Sequence, residues 1–330
     1  MSEIVVSSRV RLARNYEDLP FGPRISPEQS EQCVQRTLDA LRDLKEIYTF
    51  YPLRGMEEGD QKSLVESHLI SPDLLKNEKN AAVLIREDRL ISVMMNEEDH
   101  LRIQAFAPGD DLAAAAQNVF SIEDTLQRHL AFAFDPQLGY LTACPTNTGT
   151  GMRASMMLHL PMLTLLKQMG KVSQLAAKIG LTIRGIYGEG SEAQGNLYQL
   201  SNQVTLGRTE KEITDMVSAL AGQITEMEKT LRARTREKEP LALEDQLFRS
   251  WGLCLNARKM PLKEFMVHWS NLRLGADLGL LPITTETCDR LLTLCQPAHV
   301  AKAAGEALEQ KEIDAYRTEI IRRAIHGGDQ

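Results

Sequence analysis

The run Cys144-Pro145-Thr146-Asn147-Thr148-Gly149-Thr150-Gly151-Met152-Arg153 combines a thiol, a flexible Gly/Thr loop and an arginine. It follows an acidic cluster, Asn96-Glu97-Glu98-Asp99-His100, and apolar β-type runs flank both segments. A loop that approaches phosphate, an arginine that neutralises it and carboxylates that receive a cation suit phosphoryl transfer to a basic nitrogen. No Gly-x-x-x-x-Gly-Lys-Ser/Thr string is present, so side chains must offset the phosphate charge. Arg9, Arg11, Arg102, Arg153 and Arg184 stand at or in β-type runs. Arg9 and Arg11 are two apart and share one face of an extended segment. Planar guanidinium forks match phosphate oxygens better than lysine does. Any one of these arginines alone reads as a surface ion-pair partner; five at the ends of β-runs read as an anion site.

Acceptor chemistry falls to Glu97, Glu98 and Asp99, whose mutual repulsion calls for solvent or a cationic partner. A guanidinium, with a pKa of roughly 12.5 or more, is a poor nucleophile until a proton leaves. A carboxylate accepts that proton as the N–P bond forms. Cys144 lies beside the presumed arginine site, where positive charge favours thiolate. Glu189 and Glu192 lie in a Gly-rich stretch, Gly188 to Gly195, that reads as a closing loop. His68 reads either as a base-stacking residue or as an ordinary helix-end histidine.

These parts need a sheet to carry them. Ala81 to Ile85 and Leu90 to Met95 form an antiparallel hairpin, and Leu101 to Phe106 continues as a strand. Ile4 to Val6 and Val10 to Leu12 read as two extended segments around a polar corner at Ser7-Ser8. Leu181 to Tyr187 and Leu197 to Leu206 are further strands. Ser26-Pro27 with Gln29, and Thr209 with Glu212, are capping boxes that open helices. Asp110 to Phe134 and Pro161 to Met169 are helical, and Ile213 to Leu231 is one long amphipathic helix. The charged stretch Arg232 to Pro240 marks a boundary, giving a catalytic domain over 1–235 and a small helical domain over 236–330. The fold class is α+β, a mostly antiparallel sheet flanked by helices with a C-terminal helical appendage.

Across 330 residues, 43% hydrophobic and 25% charged content is ordinary for a globular protein. A net charge of -7 argues against nucleic acid and anionic membrane as partners. No signal peptide or bilayer-length apolar run is read, so the expected location is the cytoplasm. The five cysteines show no Cys-x-x-Cys spacing and indicate neither a disulfide framework nor a zinc site.

Taken in order, Ser7 to Arg11, Glu66 to Pro72, Asn96 to Arg102, Tyr140 to Leu160, Arg184 to Leu206 and Arg249 to Gly252 resemble the ATP:guanido phosphotransferases. Within that family the bacterial protein-arginine kinases are the nearer likeness. The resemblance implies Glu98 as catalytic base, Glu97 holding the acceptor, Cys144 beside the acceptor guanidinium and Glu189 as a recognition residue. It implies an ATP site formed by Ser7, Ser8, Arg9, Val10, Arg11, His68, Arg102, Arg153, Ala154, Ser155, Met156, Met157, Arg184, Gly185, Ile186, Tyr187, Gly188 and Glu189. Mg²⁺ would be held largely by ATP and water. The substrate would be a protein bearing exposed arginine, since the catalytic pattern starts at Ile4 and leaves the acceptor side open. A zinc-binding activator and a homodimer are further expectations from the resemblance. A kinase of free arginine or another small guanidine, and a non-catalytic nucleotide-binding regulator, are the alternative readings. Lys311-Glu312 and Ala315-Tyr316 stand where the branch carries an Arg-Asp-x-x-Arg-Ala motif for phosphoarginine recognition.

Overall fold

Alternation of apolar and polar residues gives strand β1 (Val5–Arg14) two unlike sides: Val10 and Leu12 are fully buried, and Arg9 and Arg11 lie opposite them. The computed structural model describes residues 4–42, 44–77, 79–186, 193–305 and 308–327. The other strands are β2 (Tyr48–Pro52), β3 (Ala82–Arg86), β4 (Ile91–Met95), β5 (Leu101–Pro108), β6 (Phe134–Asp135), β7 (Gly139–Tyr140), β8 (Met152–His159), β9 (Leu181–Gly185) and β10 (Leu197–Asn202). Eight of them form one sheet in the order β2-β3-β4-β5-β1-β8-β10-β9, every pair antiparallel, and β6 with β7 makes a small ribbon.

β1 therefore lies in the interior of the sheet, paired with β5 and β8. It is one strand, with a register shift between Val5 and Ser7, where the sequence reading places a corner at Ser7-Ser8. Two neighbouring ladders hold the backbone straight, and the buried Ser8 hydroxyl donates to the Gly109 carbonyl at 2.8 Å. A polar pair in sequence thus does not turn the chain.

The helices are α1 (Pro27–Ala40), α2 (Glu58–Glu66), α3 (Leu112–Gln127), α4 (Pro161–Leu165), α5 (Met169–Lys178), α6 (Glu210–Lys238), α7 (Pro240–Asn256), α8 (Leu262–Asp277), α9 (Thr285–Leu294), α10 (Pro297–Ala304) and α11 (Gln310–Ile325). Both capping boxes form: Ser26 Oγ accepts from Gln29 N at 3.2 Å, and Thr209 Oγ1 from Glu212 N at 3.2 Å. Helix α3 is shorter than the helical span expected over Asp110 to Phe134, whose last residue lies in β6. The helix expected over Pro161 to Met169 divides into α4 and α5 because Lys167 adopts a φ of 55°.

Helices α3 and α6 cover the apolar face of the sheet, where Val10, Leu12, Ile103, Ala105, Ala154 and Met156 meet in one core. The C-terminal helices join the same apolar cluster through Phe265, Trp269 and Leu291. The charged stretch beginning at Arg232 continues α6 to Lys238, and Glu239 separates it from α7. Arg232 is buried and donates from Nε to Glu228 at 2.9 Å, from Nη1 to Asp277 and from Nη2 to the His159 carbonyl at 3.1 Å. Glu228 also accepts from Met162 N at 3.0 Å and Leu163 N at 2.9 Å, so one carboxylate pins α4 to α6.

Removing one member of such a buried network strands the others. Glu228→Ala is expected to cost about 3–5 kcal/mol in denaturant unfolding. Glu226→Ala, in an exposed i,i+3 pair with Lys229, should cost under about 0.5 kcal/mol. Equal shifts for the two would contradict the network.

Candidate active site

The face of the sheet opposite the core carries the arginines, and strand register sets their spacing. Arg11 stands opposite Arg153 on one side and Gln104 on the other; Arg9 stands opposite Ser155 and Phe106. Arg102 lies on the same face of β5 as Gln104 and Phe106, and Arg184 extends the patch along β9 opposite Gln199. Directly opposed residues have Cβ atoms about 5 Å apart, and like charges there repel. Arg11 shows the consequence. Burial first, then the charges of Arg9, Arg102 and Arg153, hold its guanidinium well below the usual arginine value, while Glu97 pulls weakly the other way. Burial and the charges of Arg184 and Arg102 likewise lower Arg153. The Nε atoms of Arg11 and Arg153 are buried and find no hydrogen-bond partner among the described residues. Buried charged donors without acceptors are costly, so this surface is built for an anion with several oxygens.

The acidic cluster is a rigid turn after β4. Asn96, at φ 62°, donates from its backbone to the His100 carbonyl at 2.8 Å and from Nδ2 to Ser30 O at 2.9 Å and Asn80 O at 2.8 Å. His100 accepts from Tyr16 N through Nδ1 at 3.0 Å and donates from Nε2 to Pro20 O at 3.1 Å, a structural duty that fixes a neutral tautomer. Asp99 is buried and accepts from Asn15 Nδ2 and from Ala143 N, both at 2.6 Å. Its carboxylate is therefore spent tying this turn to the residue before Cys144. Glu97 and Glu98 divide between inside and outside. Glu97 Oε1 accepts from Arg102 Nη1 at 2.5 Å and from the Ser71 hydroxyl, while its buried Oε2 lacks a partner among the described residues. Glu98 is exposed beside it.

Cys144 is partly exposed, with Sγ 3.0 Å from Thr146 Oγ1. Its loop is held by Thr205, whose Oγ1 lies within hydrogen-bond distance of Thr148 O at 2.7 Å and Thr146 O at 3.0 Å and shares its one proton between them. Gly149, at φ 116°, is required here, since a Cβ would stand 2.5 Å from the Thr205 carbonyl oxygen. Gly22 borders both elements: a Cβ there would lie 3.6 Å from Glu98 O and 3.8 Å from Ala143 Cβ.

Three cavities follow the arginine face. One of about 290 Å³ lies between Arg153, Arg184 and the Thr146-Asn147 turn. A second of about 360 Å³ is lined by Arg9, Arg11, Arg102, Glu66, His68 and Ser71. A third of about 220 Å³ shares Arg9 and His68 with the second and adds Ser7, Ser155, Met157, Ile186, Phe106 and Gln199. Ser7, Ser155 and Met157 thus join the arginines. Ser8, Val10, Ala154 and Met156 do not: they are buried on the core side, because a contiguous run on a strand alternates faces. Gly185 ends β9 beside Ile186. Tyr187, Gly188, Glu189 and Glu192 lie outside the described residues. Sequence reasoning missed Ser71, which holds Glu97, and Gln104, whose two-residue spacing from Arg102 was the available signal. It also missed Asp289, Leu292 and Thr293 of α9, which line the third cavity with no local motif to mark them.

His68 follows the end of α2 at φ 59°, an uncommon backbone for a residue with a side chain, and its carbonyl accepts from Gln104 Nε2 at 2.8 Å. Burial, then Arg9, lowers its imidazole to about 4, so the ring is neutral at neutral pH. An unfolded imidazole titrates near ~6.5, so between ~6.5 and ~4 the unfolded chain binds the extra proton. This contribution to stability is present above ~6.5 and is lost as pH falls towards 4. His68→Gln should therefore lose less stability than wild type between pH 7 and pH 4.5 in urea titrations. Identical losses would contradict a buried neutral ring.

Residues 29–231 match the model of the ATP:guanido phosphotransferase C-terminal catalytic domain, and residues 240–329 that of the protein-arginine kinase McsB C-terminal domain. A protein-arginine kinase of Caldanaerobacter subterraneus subsp. tengcongensis is 42% identical over 323 residues, covering 97% of this chain and 96% of that protein. One of Syntrophomonas wolfei subsp. wolfei is 43% identical over 338 residues, covering 100% and 93%. Among solved structures, the duplicated taurocyamine kinase of Schistosoma mansoni with bound transition-state analog components superposes with a TM-score of 0.63 at 30% identity. The match covers 74% of this chain and 37% of that one, little more than a third of the duplicated protein. The chain therefore belongs to the ATP:guanido phosphotransferases, kinases whose phosphoryl donor is ATP.

Proposed function

We propose that the protein is a protein-arginine kinase, moving the γ-phosphoryl group of ATP onto the guanidinium of arginine residues in proteins. The observation that carries this reading is the guanidinium cradle, with buried unpartnered donors, joined through the Arg102–Glu97 ion pair to a turn that presents Glu98. The relatives named protein-arginine kinase, similar over nearly their whole lengths, support a protein acceptor.

In this reading Arg9, Arg11, Arg102, Arg153 and Arg184 bind the phosphate oxygens, and Ser7, Ser155, Met157, Ile186 and His68 line the nucleoside end. Among the described residues no group of three His, Cys, Asp or Glu side chains is placed to hold a metal ion. Mg²⁺ would enter with the nucleotide, ligated by phosphate oxygens and water, and would offset phosphate charge when bound. Glu97 keeps Arg102 in place and helps to hold the acceptor beside Glu98. Glu98 takes a proton from the acceptor guanidinium as the N–P bond forms and the bond from Pγ to the bridging oxygen breaks, releasing ADP. Cys144, tied to the same turn through Asp99 and Ala143, flanks the acceptor; Glu189 is proposed to recognise the target arginine. The division at 235/236, a cytoplasmic location, a zinc-binding activator and a homodimer belong to the same proposal. No helix among the described residues is long and apolar enough to cross a membrane.

One variant and two acceptors test the chemistry. Glu98→Ala should lower phosphate transfer to a protein acceptor by about 10²–10⁴-fold, the usual worth of a general base, with ATP binding retained. Radiolabelled ATP, neutral-pH handling to preserve the acid-sensitive P–N bond, and parallel arms with free arginine and a protein acceptor provide the readout. Turnover within a few-fold of wild type would remove Glu98 from the role. Label appearing on free arginine alone would favour a small-guanidine kinase.

A further inference from the structure

The cavity of about 220 Å³ has two unlike sides. Its inner side is sheet, with Arg9 towards the phosphate cavity and Phe106 and Met157 as apolar surface. Its outer side is α9, which contributes Asp289, Leu292 and Thr293. These three are spaced i, i+3 and i+4, so they share one face of that helix. The helix is firmly seated: Cys288 and Leu291 are fully buried, and Trp269 Nε1 donates to the Cys288 carbonyl at 2.7 Å. Asp289 is gripped from behind by Arg273, at 2.7 Å to Oδ1 and 3.3 Å to Oδ2. The Arg273 side chain is 2% exposed and that of Asp289 31%, so the carboxylate is anchored on one side and open on the other.

A nucleotide with its phosphates on the arginines reaches this cavity with its base, because Arg9 and His68 line both spaces. A carboxylate cannot serve phosphate there; it can only accept an N–H or O–H. Each of its oxygens keeps a lone pair after the contact with Arg273. Burial raises the Asp289 carboxyl, and a donor in front of it would offset that cost. We propose that Asp289 is a specificity-determining residue, accepting a hydrogen bond from the exocyclic amino group of adenine, with α9 as the outer wall of the base pocket. The helical part of the chain thereby completes the nucleotide site. This inference rests on the nucleotide reading of the cavity.

The test needs binding alone. A fluorescent N-methylanthraniloyl-ATP is displaced from the full chain by ATP or by purine riboside triphosphate, which lacks the amino group. Wild type should prefer ATP by about tenfold, as for a hydrogen bond to a charged acceptor. In Asp289→Ala the preference should fall to within about twofold, leaving only the ring contacts. Because that variant removes the carboxylate that Arg273 grips, the double variant Arg273→Met/Asp289→Ala is measured alongside, with the same expectation. In wild type, MgATP should also slow amide hydrogen exchange across 285–294. An unchanged preference in the folded variants, or no preference in wild type, overturns the proposal, as does unaltered exchange in α9. Phosphate transfer to arginine with any of these results would leave the kinase reading standing; no nucleotide binding by wild type would end both.

Discussion

Repulsion between arginines on one face of a sheet is the constraint to which the rest of the structure answers. Arg11 and Arg153 are opposed in register and carry buried Nε atoms that lack acceptors among the described residues, an arrangement that opposes folding. It persists because the other face of the same strands is a continuous core under α3 and α6. Hydrophobic burial behind the sheet holds the charges in front of it in place. An anionic ligand then meets donors already oriented, with little reorganisation left to perform.

The second consequence concerns the acid turn. Glu97 joins the two halves of the site, since one oxygen serves Arg102 and Ser71. Its neighbour Glu98 points out, and Asp99 is consumed in fastening the turn to Ala143. Three adjacent carboxylates thus have three environments: an ion pair, solvent and a hydrogen-bonded interior. Their crowding is relieved by position, and the exposed one is the base of the proposed transfer.

Much of this was legible in the sequence. The capping boxes, the β3–β4 hairpin and the two-residue spacing of Arg9 and Arg11 follow from local chemistry, and the family resemblance brought the motifs into one site. What failed had physical reasons. A contiguous run such as Arg153 to Met157 was assigned whole to the nucleotide, although alternation sends Ala154 and Met156 into the core. Ser7-Ser8 looked like a corner, yet an interior strand with partners on both sides stays extended. Charge in Arg232 to Pro240 marked a boundary, but it did not show that Glu228 and Asp277 draw Arg232 inside. Asp289 was invisible because its place depends on how α9 packs, and nothing within a few residues encodes that.

The most direct measurement is the unfolding free energy of Arg11→Met and Arg153→Met, alone and combined, with and without MgATP. Methionine keeps much of the side-chain volume and removes the charge. Without nucleotide the variants should be as stable as wild type or more so, because a buried Nε without a partner among the described residues and part of the like-charge repulsion are gone. With nucleotide at about 100 times the wild-type dissociation constant, wild type should gain about 2.7 kcal/mol and the double variant almost nothing. A double variant less stable than wild type in the absence of nucleotide, yet still stabilised by it, would contradict the account.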